Sequence, residues 1–231
     1  LLDAMTCVEC GRCTEVCPAN QTGKPLDPRK IMHDMKYSMK EDEAAALPLK
    51  EGEAARPAPK KLIGDFIKEE ELWSCTTCGA CMEACPLYIE HIPSIVDMRR
   101  YLTLTEGAFP EELNNTFKSL ETNSSPWPMD PSTRGDWAKD LGVTSMQEKS
   151  DVEYLFWVGC AGSYDERYKK VSKSIVKILQ SAKISFSILG KEEQCNGDTA
   201  RRLGNEYLAK AQIEGNVETF KRYKVQKVVT G

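Results

Sequence analysis

Histidine is almost missing from this chain: His33 and His91 are the only two in 231 residues. Neither stands in a nucleophile–base pattern, so both read as exposed or packing residues. There is no long hydrophobic run. The longest, Tyr154 to Val158, is strand-sized, far short of the ~18 apolar residues a membrane helix needs. There is no basic block. The 31 basic residues are outnumbered by 35 acidic ones, for a net charge of −4, which excludes nucleic acid as an expected partner. The stretch from Glu41 to Glu71 holds nine acids against five bases and reads as a solvated face or a docking surface. Gly159 and Gly162 sit between a strand and a helix, but G-x-G-x-x-G and the P-loop lysine are both absent, so no nucleotide is expected. No signal peptide is visible.

What the chain does have is cysteine, ten in all. Cys7, Cys10, Cys13 and Cys17 precede Pro18. Cys75, Cys78, Cys81 and Cys85 precede Pro86, the same C-x2-C-x2-C-x3-C-P run shifted by 68 positions. This is the bacterial ferredoxin pattern, a ligand set for two [4Fe–4S] clusters. Three cysteines three apart wrap one corner of a cluster, and the fourth of each run ligates the other cluster. Cys7, Cys10, Cys13 and Cys85 are therefore assigned to one cluster. Cys75, Cys78, Cys81 and Cys17 are assigned to the second. Pro18 and Pro86 end the loops by fixing φ. Gly11 and Gly79 are expected to let backbone amides approach cluster sulfur. A disulfide framework calls for a short secreted chain. Zinc ribbons do not explain a third cysteine at the same step and a fourth before proline.

The fold class expected is α+β multidomain. A mostly α-helical twin-[4Fe–4S] ferredoxin module spans 1–105, with an insert or linker at about 38–61. A connector spans 106–150. A parallel α/β (βαβαβ) cysteine-rich domain spans 151–231. Helices are expected from Pro28, over Leu62 to Ile67, over Ile92 to Leu102 and over Pro110 to Leu120, from apolar spacing and proline placement. Thr122 to Asp136 reads as an extended connector, with Trp127 and Trp137 as packing anchors. Strands are expected at Tyr154–Val158, Ile184–Leu189 and Val225–Val229. Helices are expected between them, at about Tyr164–Ala182, with Val171, Ile175, Ile178 and Leu179 on one face, and at about Thr199–Tyr223. Near-continuous apolar strands alternating with helices argue for a parallel sheet. The chain also reads as part of a longer one, since it starts at Leu1 without methionine and ends directly after an apolar run.

Cys160 follows the first strand and Cys195 the second, so both fall at carboxyl ends of strands, where ligand sites form. Here a resemblance becomes specific. The chain resembles the iron–sulfur oxidoreductases related to heterodisulfide reductase, which join a twin-cluster helical ferredoxin module to a cysteine-rich domain. Cys160 and Cys195 match cysteines of that domain's repeat, and Gly197 matches the glycine of its CCG motif. Asn196 replaces the second cysteine of CCG, which weakens any expectation of disulfide chemistry. A possible third iron–sulfur cluster would use Cys160 and Cys195 with ligands beyond Gly231. Asp198 could add an oxygen, though a helix cap is its commoner role. Arg201 and Arg202 are expected on a solvated helix face or against the partner domain.

Trp73-Ser74-Cys75-Thr76-Thr77-Cys78-Gly79-Ala80-Cys81, Ile95-Val96-Asp97-Met98-Arg99-Arg100-Tyr101 and the stretch from Gln194 to Glu206 carry a likeness to the membrane-linked branch. That likeness implies single-electron relay between a flavoprotein, such as electron-transfer flavoprotein, and a quinone-reactive membrane domain or subunit of the haem b type. Cluster oxygen sensitivity implies a reducing compartment, so the chain is expected at the cytoplasmic face of a membrane. The alternatives are an iron–sulfur subunit of a heterodisulfide reductase or of a glycerol-3-phosphate, lactate or glycolate dehydrogenase, and a zinc-stabilised interaction protein.

Overall fold

A computed structural model describes residues 2–47, 58 and 60–231. The chain divides into two compact units, Leu1–Glu106 and Gly107–Gly231. The first is helical: α1 (Leu2–Thr6), α2 (Arg12–Glu15), α3 (Pro18–Gln21), α4 (Pro28–Ala46), α5 (Glu69–Trp73), α6 (Ala80–Glu83) and α7 (His91–Tyr101), with a π-helical turn at Leu102–Glu106. The second holds α8 (Leu113–Asn123), then β1 (Tyr154–Trp157), α9 (Gly159–Tyr164), α10 (Glu166–Ser181), β2 (Phe186–Ile188), α11 (Asp198–Arg202), α12 (Glu206–Arg222) and β3 (Val228–Thr230). No helix of the described residues is long and apolar enough to cross a membrane.

In the first unit α4 starts where the sequence says it must. Asp27 caps it, accepting from the amides of Arg29 at 2.9 Å and Lys30 at 3.1 Å, and Pro28 takes the first turn, where no donor is needed. Ile31 and Met32 are wholly buried. Lys30 reaches Asp34 at 2.7 Å and the buried Glu71 at 2.9 Å, which ties α4 to α5. The helix runs on to Ala46, further into the insert than its Ala- and Glu-rich composition suggested; much of the rest of the insert lies outside the described residues. Leu62 to Ile67 is not a helix. Gly64 adopts φ +106, Asp65 accepts the Lys61 amide at 2.8 Å, and Ile63 bridges Ile67. The apolar spacing instead buries Ile67 beneath a compact turn.

The second unit is built on a parallel sheet of order β2-β1-β3, registered Leu155 to Ser187 and Leu155 to Val228. Neighbouring strand residues point to opposite faces. Phe156 packs with Trp137, Val176 and Ile188, while Leu155 packs with Met146 and Leu189. Both faces are covered, as parallel sheets require. The outer strands are shorter than the apolar runs, confined to residues that pair with β1.

Several expectations are corrected by local chemistry. The helix expected from Tyr164 breaks at Asp165, whose carboxylate caps α10 through the amides of Arg167 and Tyr168. The buried stripe of α10 is Ser172, Val176 and Leu179, while Val171 and Ile178 are exposed. Ser172 occupies it because its hydroxyl donates to the Gly162 carbonyl at 3.2 Å. The helix expected from Thr199 to Tyr223 is two helices. Gly204 turns the chain at φ +82, and Asn205 caps α12 through Leu208. Trp137 is buried, but Trp127 is half-exposed and anchors little. Thr122 to Asp136 is folded more than an extended connector would be: α8 continues to Asn123 and a 3-10 turn forms at Pro131–Thr133.

Candidate metal centres

The two cysteine loops repeat in backbone as they do in sequence. Glu9 and Thr77 both adopt positive φ, +57 and +54, and Gly11 and Gly79 follow at +87 and +85. Such angles are uncommon without glycine. They coil each loop so that its first three cysteines share one side. Apart from the glycine and its two chain neighbours, no described atom lies within 4 Å of a Cβ built on Gly11 or Gly79. The left-handed angle calls for glycine there, rather than crowding. The second cysteine of each loop, Cys10 or Cys78, is exposed, and the third, Cys13 or Cys81, is buried on a short helix.

Each loop faces a cavity that the other completes. Cys7, Cys10 and Cys13 line one together with Cys85. Cys75, Cys78 and Cys81 line the other together with Cys17. Thiols standing around a cavity suit a cluster, whose irons are separate, better than one tetrahedral zinc. The Thr77 amide donates to Cys75 Sγ at 3.4 Å, the kind of contact that tunes cluster sulfur. Burial pushes the Cys13 and Cys75 thiols up, and Cys81 up to about 12. Metal ligation needs the thiolate, so cluster loading releases protons. His91 is buried, and burial holds its imidazole below the ordinary value; His33 stacks on Tyr37. Both act in packing.

In the second unit Cys160 and Cys195 belong to one packed cluster with Phe117, Leu120 and Ala200. The carbonyl of Ser124, at the left-handed end of α8, joins them. It accepts from the Cys195 amide at 2.8 Å and lies 4.0 Å from Cys160 Sγ. Arg134, 1% exposed, donates to the same carbonyl at 3.3 Å, to Cys160 Sγ at 3.2 Å and to Glu193 Oε1 at 3.0 Å. Glu193 also accepts from the amides of Val158 and Gly159 at 3.1 and 2.8 Å. Three N–H donors suit a carboxylate: burial pushes Glu193 up, and Arg134 pulls it back. A hydrogen bond from Cys195 and the Arg134 charge outweigh burial and bring Cys160 down to about 6; the same bond pushes Cys195 up.

Asp198 is not the cap of α11. That place belongs to Gly197 at φ +84, and the Asn196 side chain accepts the Asp198 amide at 3.0 Å. Asp198 pairs with Arg202 at 2.9 Å, and Arg201 with Glu206 at 2.9 Å, both on an exposed face. Arg134, Glu193 and Ser124 were not foreseen. Nothing in the sequence marks them, since the contacts of Arg134 with Cys160 and Glu193, and of Ser124 with Cys160, span 26 to 59 positions.

Residues 6–89 match the 4Fe-4S dicluster domain family. Residues 154–231 match the cysteine-rich domain family. The pairing of these two domains is that of the iron–sulfur oxidoreductases related to heterodisulfide reductase, which the chain resembles. It is 40% identical to EtfAB:quinone oxidoreductase of Syntrophomonas wolfei subsp. wolfei, over 99% of this chain and 35% of that protein. It is 38% identical to a probable membrane-anchored ferredoxin of Chromohalobacter salexigens, over 100% of this chain and 36% of that one. It is 28% identical to one component of the dihydromethanophenazine:CoB–CoM heterodisulfide reductase of Methanosarcina barkeri, over 99% of this chain and 55% of that component. The chain thus spans about a third of the length of the first two relatives and about half of the third. No solved structure matches it. The match to the 4Fe-4S dicluster domain family supports iron–sulfur clusters in this chain.

Proposed function

We propose that the chain is a twin-[4Fe–4S] relay that passes single electrons from a redox flavoprotein toward a quinone-reducing membrane domain. Cys7, Cys10, Cys13 and Cys85 hold one cluster. Cys75, Cys78, Cys81 and Cys17 hold the other. The observation that carries this is the pair of cavities, each lined by three cysteines of one loop and the last cysteine of the other. The clusters supply one-electron chemistry. The chain's own part is to position them, to limit water and to set their potentials.

The names of two relatives, EtfAB:quinone oxidoreductase and probable membrane-anchored ferredoxin, support an electron-transfer flavoprotein as donor, a quinone-reactive acceptor and a membrane association; the resemblance adds a haem b-type partner, and cluster chemistry the cytoplasmic face. Cys160 and Cys195 supply two ligands of a third cluster, completed by residues outside Leu1–Gly231. Their place in one packed cluster and the buried Arg134 beside Cys160 support this. Asn196, in place of the second cysteine of CCG, sets the site apart from one that cleaves disulfides. Anaerobic stopped-flow mixing with reduced electron-transfer flavoprotein tests the donor. Bleaching of the iron–sulfur absorbance on mixing is expected. Absorbance that stays constant, while dithionite still bleaches it, contradicts the flavoprotein assignment.

A further inference from the structure

The two cysteine loops share a backbone but not an electrostatic surrounding. Behind the second loop lies Arg99, on α7 and 3% exposed. It donates to the Leu72 carbonyl from Nε at 3.1 Å and from Nη2 at 2.6 Å, and from Nη2 to the Cys75 carbonyl at 2.6 Å. Its guanidinium lies 5.2 Å from the Trp73 ring centroid. Those contacts hold it against the segment that leads into Cys75, and its charge acts on the Cys75 sulfur.

The first loop has different neighbours. Arg12 and Arg29 line its cavity, but both are exposed. Arg29 is also paired with Asp27 at 3.6 Å. The Asp27 carboxylate acts on the Cys13 sulfur. Water screens an exposed charge several-fold more than a buried one at the same distance. The second centre therefore feels a desolvated cation, while the first feels solvated cations and a carboxylate.

We infer that Arg99 is a potential-setting residue, which makes the Cys75 centre the higher-potential cluster of the pair and the electron-accepting end of the relay. The inference rests on the two-cluster assignment proposed above. Each centre takes up one electron and becomes more negative by one charge. A fixed buried cation stabilises that reduced form and raises the potential.

The test is a potentiometric titration of the anaerobically purified chain, followed by EPR. Two reduction waves are expected. Cys78→Ser should alter or remove the upper wave, and Cys10→Ser the lower. Arg99→Met should move the upper wave down and leave the lower in place. Arg99→Lys, which keeps the charge, should restore most of the shift. Arg12→Gln should move the lower wave by less than Arg99→Met moves the upper. The ranking is overturned if the upper wave answers to Cys10→Ser, or if Arg99→Met and Arg99→Lys behave alike. Should Arg99→Met not fold, Asp27→Asn, which keeps the helix cap, should raise the lower wave; an unmoved wave would equally overturn the ranking. A single wave with about four irons per chain would instead contradict the two-cluster reading itself, and the ranking with it.

Discussion

In the first unit eight cysteines come from two loops whose geometry is local. Positive φ at Glu9 and Gly11, and again at Thr77 and Gly79, is repeated 68 positions on, and each loop alone brings three thiols to one side of a cavity. In the second unit Cys160 and Cys195 lie 35 positions apart. They meet only because β1 and β2 are parallel, with the Ser124 carbonyl, Arg134 and Glu193 packed in from elsewhere. The first kind of site is written in a motif and tolerates change in its surroundings. The second is a product of the fold and fails with it. The thiols differ accordingly. Burial pushes Cys13, Cys75 and Cys81 up, whereas Cys195 and Arg134 bring Cys160 down.

The sharpest way to break that comparison is through the cysteines. Cys81→Ser or Cys13→Ser should lower bound iron from about eight to about four per chain, as one of two clusters is lost. Cys160→Ser should leave that iron in place. Iron analysis of the purified variants decides, and equal losses from Cys81→Ser and Cys160→Ser would erase the distinction. Next comes Arg134→Met, which strands the buried Glu193 carboxylate. It should destabilise the second unit by about 3–5 kcal/mol, with Glu193→Gln added to it recovering part of the loss. Urea unfolding followed by the fluorescence of Trp137 and Trp157 reads this.

Glycines give a smaller contrast. At Gly197 a Cβ would meet the Ala209 carbonyl oxygen at 2.8 Å, at φ +84, so Gly197→Ala should cost about 2–4 kcal/mol. Gly79→Ala meets only the angle and should cost about 1–2 kcal/mol. The smallest effect expected is at the α4 cap. Asp27→Ala should lower stability by about 1 kcal/mol in thermal melts. Burial pushes the Asp27 carboxyl up, but the Thr14 hydroxyl and the amides of Lys30 and Arg29 outweigh it and hold it below the usual carboxylate range. Its stabilisation is therefore full above the ordinary carboxylate pKa and lost as pH falls through the depressed one. Asp27→Asn should remove that part of the acid sensitivity.

The legibility of the sequence follows the same division. The two cysteine runs, Asp27-Pro28 before α4 and the apolar run of β1 are local signals, and each appears where its chemistry demands. The breaks at Asp165 and Gly204 were also local, but helical periodicity across them hid a cap and a turn. The buried stripe of α10 could not be read, because Ser172 takes a core position only through its bond to Gly162. Arg99, Arg134 and Glu193 look like ordinary surface charges in the sequence. Burial alone gives them their importance, and burial is a property of the fold.

The most direct test of the account is iron and acid-labile sulfide per chain in anaerobically purified protein, read together with the EPR spectrum after dithionite reduction. The account predicts about eight irons and as many sulfides in the first unit, with the spectrum of two interacting reduced clusters. Bound zinc without sulfide, in a protein with no reducible EPR signal, would contradict it.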